Sequence, residues 1–299
     1  MKSMNLLKRS IRVFLRHNWI QNSLVVAKGC YKRKAPLLKG KKRVAVLMNG
    51  PSLKSVDIGN LAEKYDNLIV GNHFAETNLY EQLRPSTYII QDSYFWKHDI
   101  LDHYIEKRER LYSYLNKKTG WPLQLYFPHF ANFNLIKNKV TNGNISINRY
   151  YAWYIKSNNT FFNSYIKPHR VLFYLWAHNY CAPPPENLLV GATYLSYLKG
   201  ANVIDIYGAD MSFFRSLEVN QKTNRVGIHQ NHFYGTEFHE HYKDKQGREP
   251  TSIAHELKKW SKVFETFEIL NTFYERVGTK VYNCGSNSFI DAFERKSAE

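Results

Sequence analysis

The ten residues Val44 to Leu53, VAVLMNGPSL, constrain the fold more than any other stretch of this chain. Val44, Ala45, Val46 and Leu47 form a short β-prone run, and Asn49-Gly50-Pro51-Ser52 is turn chemistry that ends it abruptly. Gly50 lets backbone amides approach a ligand with no side chain in the way, while Asn49 and Ser52 can supply hydrogen bonds. A buried strand closed by a polar glycine turn suits an open α/β sheet, whose ligands bind beyond the carboxyl ends of the strands. The same four residues also suit an ordinary strand-to-helix turn, so the rest of the chain has to decide.

The pattern repeats. Asn67 to Gly71 (NLIVG) and Thr87 to Gln91 (TYIIQ) read as two further strands, ending in Asn72-His73 and Gln91-Asp92-Ser93. Three apolar runs with polar tips argue for one ligand site along a shared rim. Asn187 to Gly200 reads as a helix whose small residues Gly191 and Ala192 permit close packing on the sheet. It leads into a strand over Asn202 to Tyr207, which ends at a second glycine tip, Gly208-Ala209-Asp210. A long helix over Ile253 to Val277 and a strand over Lys280 to Tyr282 precede the polar tip Asn283 to Ser288. Between Tyr94 and Pro185 the chain is rich in Tyr, Phe, Trp and Asn and has poor periodicity. Residues 94–185 therefore read as a helical and irregular insertion, either a lid or acceptor groove or simply core and loop.

A length of 299 residues allows one large α/β domain or two smaller ones, and 15% aromatic residues argue against disorder. The formal net charge of +17 is concentrated at the start. Residues 1–43 hold thirteen Lys or Arg and no acidic residue, the first acid being Asp57. Within that arm Leu6, Leu7, Ile11, Phe14, Leu15 and Trp19 recur at helical spacing with Lys8, Arg9, Arg12 and Arg16 between them. Such a helix can lie on an anionic membrane surface, or pack on the protein itself. Nucleic acid is a third partner for so basic an arm, but no nucleic-acid module follows it. No apolar run is long enough to span a bilayer, and charges interrupt what would be a signal-peptide core. The expectation is a cytoplasmic protein, peripheral on the inner face of the membrane, with an arm at 1–43 and a catalytic domain at 44–299. Cys30, Cys181 and Cys284 are widely separated, which implies neither a disulfide framework nor a cysteine-built zinc site.

The order NGPSL at 49–53, GNHF at 71–74, IYGAD at 206–210, NHFYG at 231–235 and NCGSNS at 283–288 resembles the bacterial sialyltransferases of glycosyltransferase family 42. It is more loosely similar to a wider group that includes archaeal hydroxymethylpterin diphosphokinases. The likeness runs from about Val44 to Phe293 and is weak in the middle third. It implies an α/β fold of modified GT-A, Rossmann-like type with a lid and a CMP-activated donor sugar. It also implies that Asn49, Gly50 and Ser52 cradle the donor, that Asn72 and Gln91 sit at the next two strand ends, the latter followed by Asp92 as a further expected donor-binding residue, and that Asn287 and Ser288 lie near the cytidine. Asn187, Tyr207, Gly208 and Asp210 complete the expected donor-binding set, and His232 in NHFYG matches the family's general base.

Inverting transfer needs a base to take the acceptor's proton as an oxocarbenium-like centre forms, and a neutral imidazole suits that task. His232 sits in a histidine-rich stretch with His229, His239 and His241. That grouping also admits a metal site or a structural histidine. CMP leaves as a single phosphate, so no divalent metal and no other cofactor is required, and no DxD stands at a strand tip. The chain departs from the family in two places. The arginine ahead of the helix at Leu188 is replaced by Pro185-Glu186-Asn187, and the phosphate-binding tyrosines are out of register, with Tyr207 displaced and Arg215 or Arg225 as candidate substitutes. Sialic acid, Kdo and related ulosonic acids all stay open as the donor sugar. The acceptor is expected to be a glycan or glycolipid of a bacterial surface such as lipopolysaccharide or capsule, and a homo-oligomer is compatible with the sequence. Two other classes remain: a pterin diphosphokinase-like enzyme using Mg²⁺ on carboxylates such as Asp92 and Asp210, and a non-catalytic membrane- or glycan-binding protein.

Overall fold

A computed structural model describes residues 23–28, 42–57, 59, 61–155, 169–232, 235–243 and 246–296; over 228–232 and 235–239 it describes the backbone alone. Its centre is an eight-stranded sheet in which every pairing is parallel. The strands are β1 (Lys42–Leu47), β2 (Asn67–Gly71), β3 (Thr87–Ile89), β4 (Leu123–Pro128), β5 (Ile145–Tyr150), β6 (Ala201–Tyr207), β10 (Lys280–Asn283) and β11 (Glu294–Arg295). They stand in the order β11-β10-β6-β1-β2-β3-β4-β5. A separate three-stranded antiparallel sheet holds β7 (Leu217–Val219), β8 (Val226–His232) and β9 (Gly235–Glu240).

The near-continuous apolar runs follow from burial on both faces. Ala45 and Leu47 of β1 point into one core with Leu68, Val70, Tyr88 and Leu125. Val44 and Val46 point into the other with Ile69, Ile89, Ile204 and Ile206. The first core is closed by α1 (Leu61–Lys64), α2 (Leu79–Leu83), α3 (Asp102–Lys118) and α4 (Phe133–Lys139). The second is closed by α5 (His169–Ala177), α6 (Leu188–Leu198) and α7 (Ile253–Val277). This is an α/β, Rossmann-like architecture, as the sequence predicts.

Local chemistry sets the ends of the two best-defined helices. Asn187 caps α6 by accepting a 2.7 Å hydrogen bond from the Leu189 amide, and Ser252 caps α7 through the His255 amide at 3.2 Å. Gly278, at φ 76°, closes α7 in the left-handed conformation that favours glycine. The predicted bounds of α7 and β2 coincide with the observed ones.

One expectation needs correction. The 94–185 segment is not wholly a helical and irregular insertion: among its described residues α3, β4, α4, β5 and α5 extend the sheet and its covering layers. At the NHFYG stretch β8 and β9 pair, with His232 opposite Gly235. The membrane-arm expectation rests mainly on residues 1–22 and 29–41, which lie outside the described residues. Within it, residues 23–28 are helical and dock on the domain. The Tyr151 hydroxyl donates to the Val25 carbonyl, and the Lys28 ammonium lies 4.3 Å from the Trp153 ring centre. Among the described residues no helix is long and apolar enough to cross a membrane.

Candidate functional site

Sheet order locates the site. From β1 the chain runs outward through β2, β3, β4 and β5, then returns so that β6 pairs with the opposite edge of β1. The carboxyl ends of β1 and β6 thus splay at a topological switch point, where an open α/β sheet leaves a crevice. A cavity of about 760 Å³ opens there, within the usual range for small-molecule sites.

Two glycines hold its floor together, and the Gly50 reading changes. Gly50 has an ordinary extended backbone, φ −73° and ψ 154°. Its amide donates to the Gly208 carbonyl at 2.7 Å, and a Cβ there would meet that carbonyl oxygen at 2.4 Å and Asp210 Cγ at 2.8 Å. The residue is glycine because two strand-end loops touch, so its amide is engaged within the protein rather than offered to a phosphate. Gly208, at φ 65°, needs glycine for its conformation as well as for a close approach to the Met48 carbonyl.

Asp210 clamps the same junction. One carboxylate oxygen accepts from the Ser52 amide at 2.9 Å and the other from the Ser52 hydroxyl. Asp210 lines the cavity whereas Ser52 is buried behind it, so Ser52 acts through the clamp. Asn49, Asn72, Gln91, Asp92 and Asn187 line the cavity together with Gly50 and Gly208, so the structure brings these expected residues to one place. Asn72 adopts the left-handed conformation at φ 47° and donates to Asp92 at 2.9 Å. Met211 is also left-handed, at φ 53°, immediately after the β6 tip. Such a conformation in a non-glycine residue stores roughly 1 kcal/mol or more and concentrates at functional sites.

Tyr207, Asn287 and Ser288 do not line the cavity. Tyr207 faces the opposite core, where its hydroxyl meets that of Tyr65 at 2.7 Å. Tyr65 bonds Asp205, which in turn takes two donors from Arg43 at 2.9 and 2.6 Å. Burial pushes the Tyr207 phenol up to about 12, consistent with a structural hydroxyl. Asn287 is exposed, while Ser288 donates to the Ala209 carbonyl at 2.7 Å and so supports the loop after β6 from behind. The His232 backbone sits at the end of β8; its side chain lies outside the described part of the structure.

Among the described residues, several buried polar atoms around the cavity have no hydrogen-bond partner: Asn49 Oδ1, Gln91 Oε1, the Tyr150 hydroxyl and Trp260 Nε1. Leaving such an atom unsatisfied costs about 1–3 kcal/mol. The amide orientations are fixed by their neighbours. Asn49 Nδ2 faces the Gly71 carbonyl at 3.4 Å, and Gln91 Nε2 faces the Pro185 and Asn187 carbonyls, both at 3.1 Å. Asn49 Oδ1 is therefore an acceptor awaiting a donor. Gln91 Oε1 packs toward Gly191, where a Cβ would lie 2.2 Å from it, so Gln91 chiefly ties β3 to the start of α6.

The remaining walls come from residues that the sequence reading did not select. Phe213 and Trp260 stack with ring centres 5.8 Å apart, and both line the cavity. The lining also includes Tyr94, Tyr104 and His103, with Lys107 and Arg110 farther along α3. His73 bridges Glu76 through Nδ1 and the Tyr94 hydroxyl through Nε2, the latter at 2.6 Å. Burial alone would raise the Glu76 carboxyl, but the bonds and charges of His73 and Arg110 hold it below the usual range. His241 lines the cavity where β9 ends, with Nδ1 3.4 Å from Glu256 on α7. In sequence, the signals for these walls were the i, i+4 and i+7 spacing of His103, Lys107 and Arg110, the polar tip that holds His73 and the histidine group that holds His241. Among the described residues no group of three or more His, Cys, Asp or Glu is arranged to hold a metal.

No protein-family model matches the chain. No curated protein matches it either. Two solved structures are similar in arrangement. The monofunctional alpha-2,3-sialyltransferase Cst-I from Campylobacter jejuni has a TM-score of 0.40 and 14% identity over 88% of this chain and 82% of its own. The sialyltransferase CstII from the same organism, solved with cytidine-5'-monophosphate, has a TM-score of 0.35 and 16% identity, covering 86% of this chain and 85% of its own. Identities this low assign no residue a role.

Proposed function

We propose that this chain is a glycosyltransferase that binds a CMP-activated sugar of the ulosonic acid class at the β1/β6 switch point and transfers the sugar to a glycan or glycolipid hydroxyl. The observation that carries the reading is the cavity itself, which lies at the strand-end crevice of an α/β sheet and is lined by buried polar atoms that have no partner among the described residues. Asn49 Oδ1 accepts from a ligand donor such as a sugar hydroxyl or the cytosine amino group. The Phe213–Trp260 stack offers a flat apolar face to a base or a pyranose ring. Lys107, Arg110 and Lys259 on the lining supply positive charge for a phosphate or a sugar carboxylate.

The choice of CMP over other nucleotides rests on the motif order from NGPSL to NCGSNS. Loss of CMP places modest negative charge on one phosphate, which hydrogen bonds and the lining cations can stabilise. In this reading the donor is the only small molecule needed. The basic arm places the enzyme on an anionic membrane, where lipid-linked acceptors reside. The test is nucleotide selectivity combined with turnover: CMP binding in preference to UDP, GDP and ATP, and sugar release from a CMP-sugar by the purified protein. Equal indifference to all four nucleotides rejects the reading.

A further inference from the structure

Transfer requires a group that removes the acceptor proton, and the cavity wall contains an arrangement suited to it away from the hairpin tip. His241 follows directly on β9. Its amide donates to the Val226 carbonyl at 2.9 Å, and its carbonyl accepts from the Thr251 amide at 3.2 Å. The backbone is thus pinned between β8 and the segment entering α7. Its side chain is largely buried and faces Glu256, whose side chain is only 2% exposed.

Glu256 is fixed independently of the histidine. The Thr251 hydroxyl donates to one of its oxygens at 2.9 Å and the Lys259 ammonium to the other at 3.2 Å. It also lies in the first turn of α7, where the helix dipole favours negative charge. Burial would raise its carboxyl, yet the His241 and Thr251 bonds and the Lys259 charge bring it down to about 2. A buried carboxylate held well below the usual carboxylate range therefore stands beside the imidazole.

The other cavity histidines are placed differently. His73 has both ring nitrogens engaged, by Glu76 and by the Tyr94 hydroxyl. His103 is an exposed residue of α3 whose ring centre lies 4.1 Å from that of Tyr104. His241 has one nitrogen toward Glu256 and, among the described residues, no partner on Nε2. We propose that His241, positioned and charge-balanced by Glu256, takes the proton from the acceptor hydroxyl. This rests on the glycosyltransferase reading above and moves the base from the hairpin tip to the end of β9.

In the step, the acceptor oxygen forms a bond to the anomeric carbon as the bond from that carbon to the donor phosphate oxygen breaks. The bonding pair leaves on the phosphate of CMP. The hydroxyl proton passes to His241 Nε2, and the resulting imidazolium is balanced by the Glu256 carboxylate. Glu256 touches neither substrate, so it is a positioning residue. The imidazole's close approach to a buried carboxylate, Nδ1 3.4 Å from Glu256, is the kind of arrangement that general-base catalysis uses to orient an imidazole.

The test compares wild type, His241→Ala and Glu256→Gln for CMP affinity, for kcat and KM, and for the pH profile of kcat/KM. His241→Ala is expected to lose roughly 10²–10⁴-fold in kcat while keeping CMP affinity, and added imidazole should restore part of the rate. Glu256→Gln is expected to lower kcat more than it changes KM and to move the acidic limb of the profile to lower pH. The charged and titratable groups around the pair, Glu240, Tyr242 and Lys259, are unchanged in that variant. Should Glu256→Gln fail to fold, imidazole rescue of His241→Ala decides alone. A His241→Ala enzyme within threefold of wild type, with the loss appearing in His232→Ala instead, overturns the assignment. A wild-type protein that neither binds CMP nor turns over any CMP-sugar overturns the parent reading, a distinguishable result.

Discussion

Gly50→Ala is the sharpest probe of the switch point because the structure gives the nearest contacts its Cβ would make. The backbone at Gly50 is extended, so alanine introduces no torsional strain. Its Cβ would instead lie 2.4 Å from the Gly208 carbonyl oxygen and 2.8 Å from the Asp210 carboxylate, so the β1 and β6 loops must part. Overpacking of this kind costs about 1–3 kcal/mol. Losing the Gly50–Gly208 hydrogen bond adds about 1 kcal/mol, and weakening the charge-assisted Ser52–Asp210 pair adds about 1 kcal/mol more. A total of about 3–5 kcal/mol lowers the melting temperature of a chain this size by about 5–8 °C. The control is Gly143→Ala, at a site where a Cβ meets nothing within 4 Å. Calorimetry on the two variants, with CMP titrations on each, reads both stability and site geometry. Equal melting temperatures for Gly50→Ala and Gly143→Ala would refute the clamp.

Two more predictions concern parts remote from the cavity. Lys199 is buried, donates to Thr87 Oγ1 at 2.6 Å and Gln124 Oε1 at 2.8 Å, and burial lowers its ammonium from 10.5 to about 8. Between these values the unfolded chain holds a proton that the folded one has released, so folding should gain stability as pH rises from about 8 to 10.5, by ~3 kcal/mol. Denaturant titrations across that range should show the rise in wild type and not in Lys199→Met; parallel curves would remove Lys199 as the cause. Deleting residues 1–30 should release the protein from anionic vesicles in a flotation assay, whereas unchanged flotation would refute the arm as the anchor.

What was legible in the sequence follows burial. β1, β2 and β6 are covered on both faces, so their apolar runs stand out, and α6 and α7 carry side-chain caps that mark their starts. β5 is an edge strand whose ISINRY includes exposed Ser146 and Arg149, and so it resembles a loop. β8 and β9 belong to a small antiparallel sheet rich in His, Asn and Glu, where no apolar period survives. The strand-end rule named Asn49, Asn72, Gln91, Asp92 and Asp210, and these line one cavity because parallel strands bring their carboxyl ends together. It misread Gly50, whose glycine serves contact with Gly208 rather than ligand access. It could not find the pairing of His241 with Glu256, which exists only once α7 packs beside the end of β9.

The central claim, a CMP-sugar site at the junction of β1 and β6, is tested most directly by CMP titration of the wild-type protein and of Asn49→Leu, followed by thermal unfolding. At a CMP concentration 100 times Kd the wild type should gain about 2.7 kcal/mol, or about 4 °C, with UDP, GDP and ATP giving less. Asn49→Leu should lose that gain while melting close to wild type without ligand. No CMP-dependent stabilisation of the wild type, or a full one in Asn49→Leu, would contradict the account.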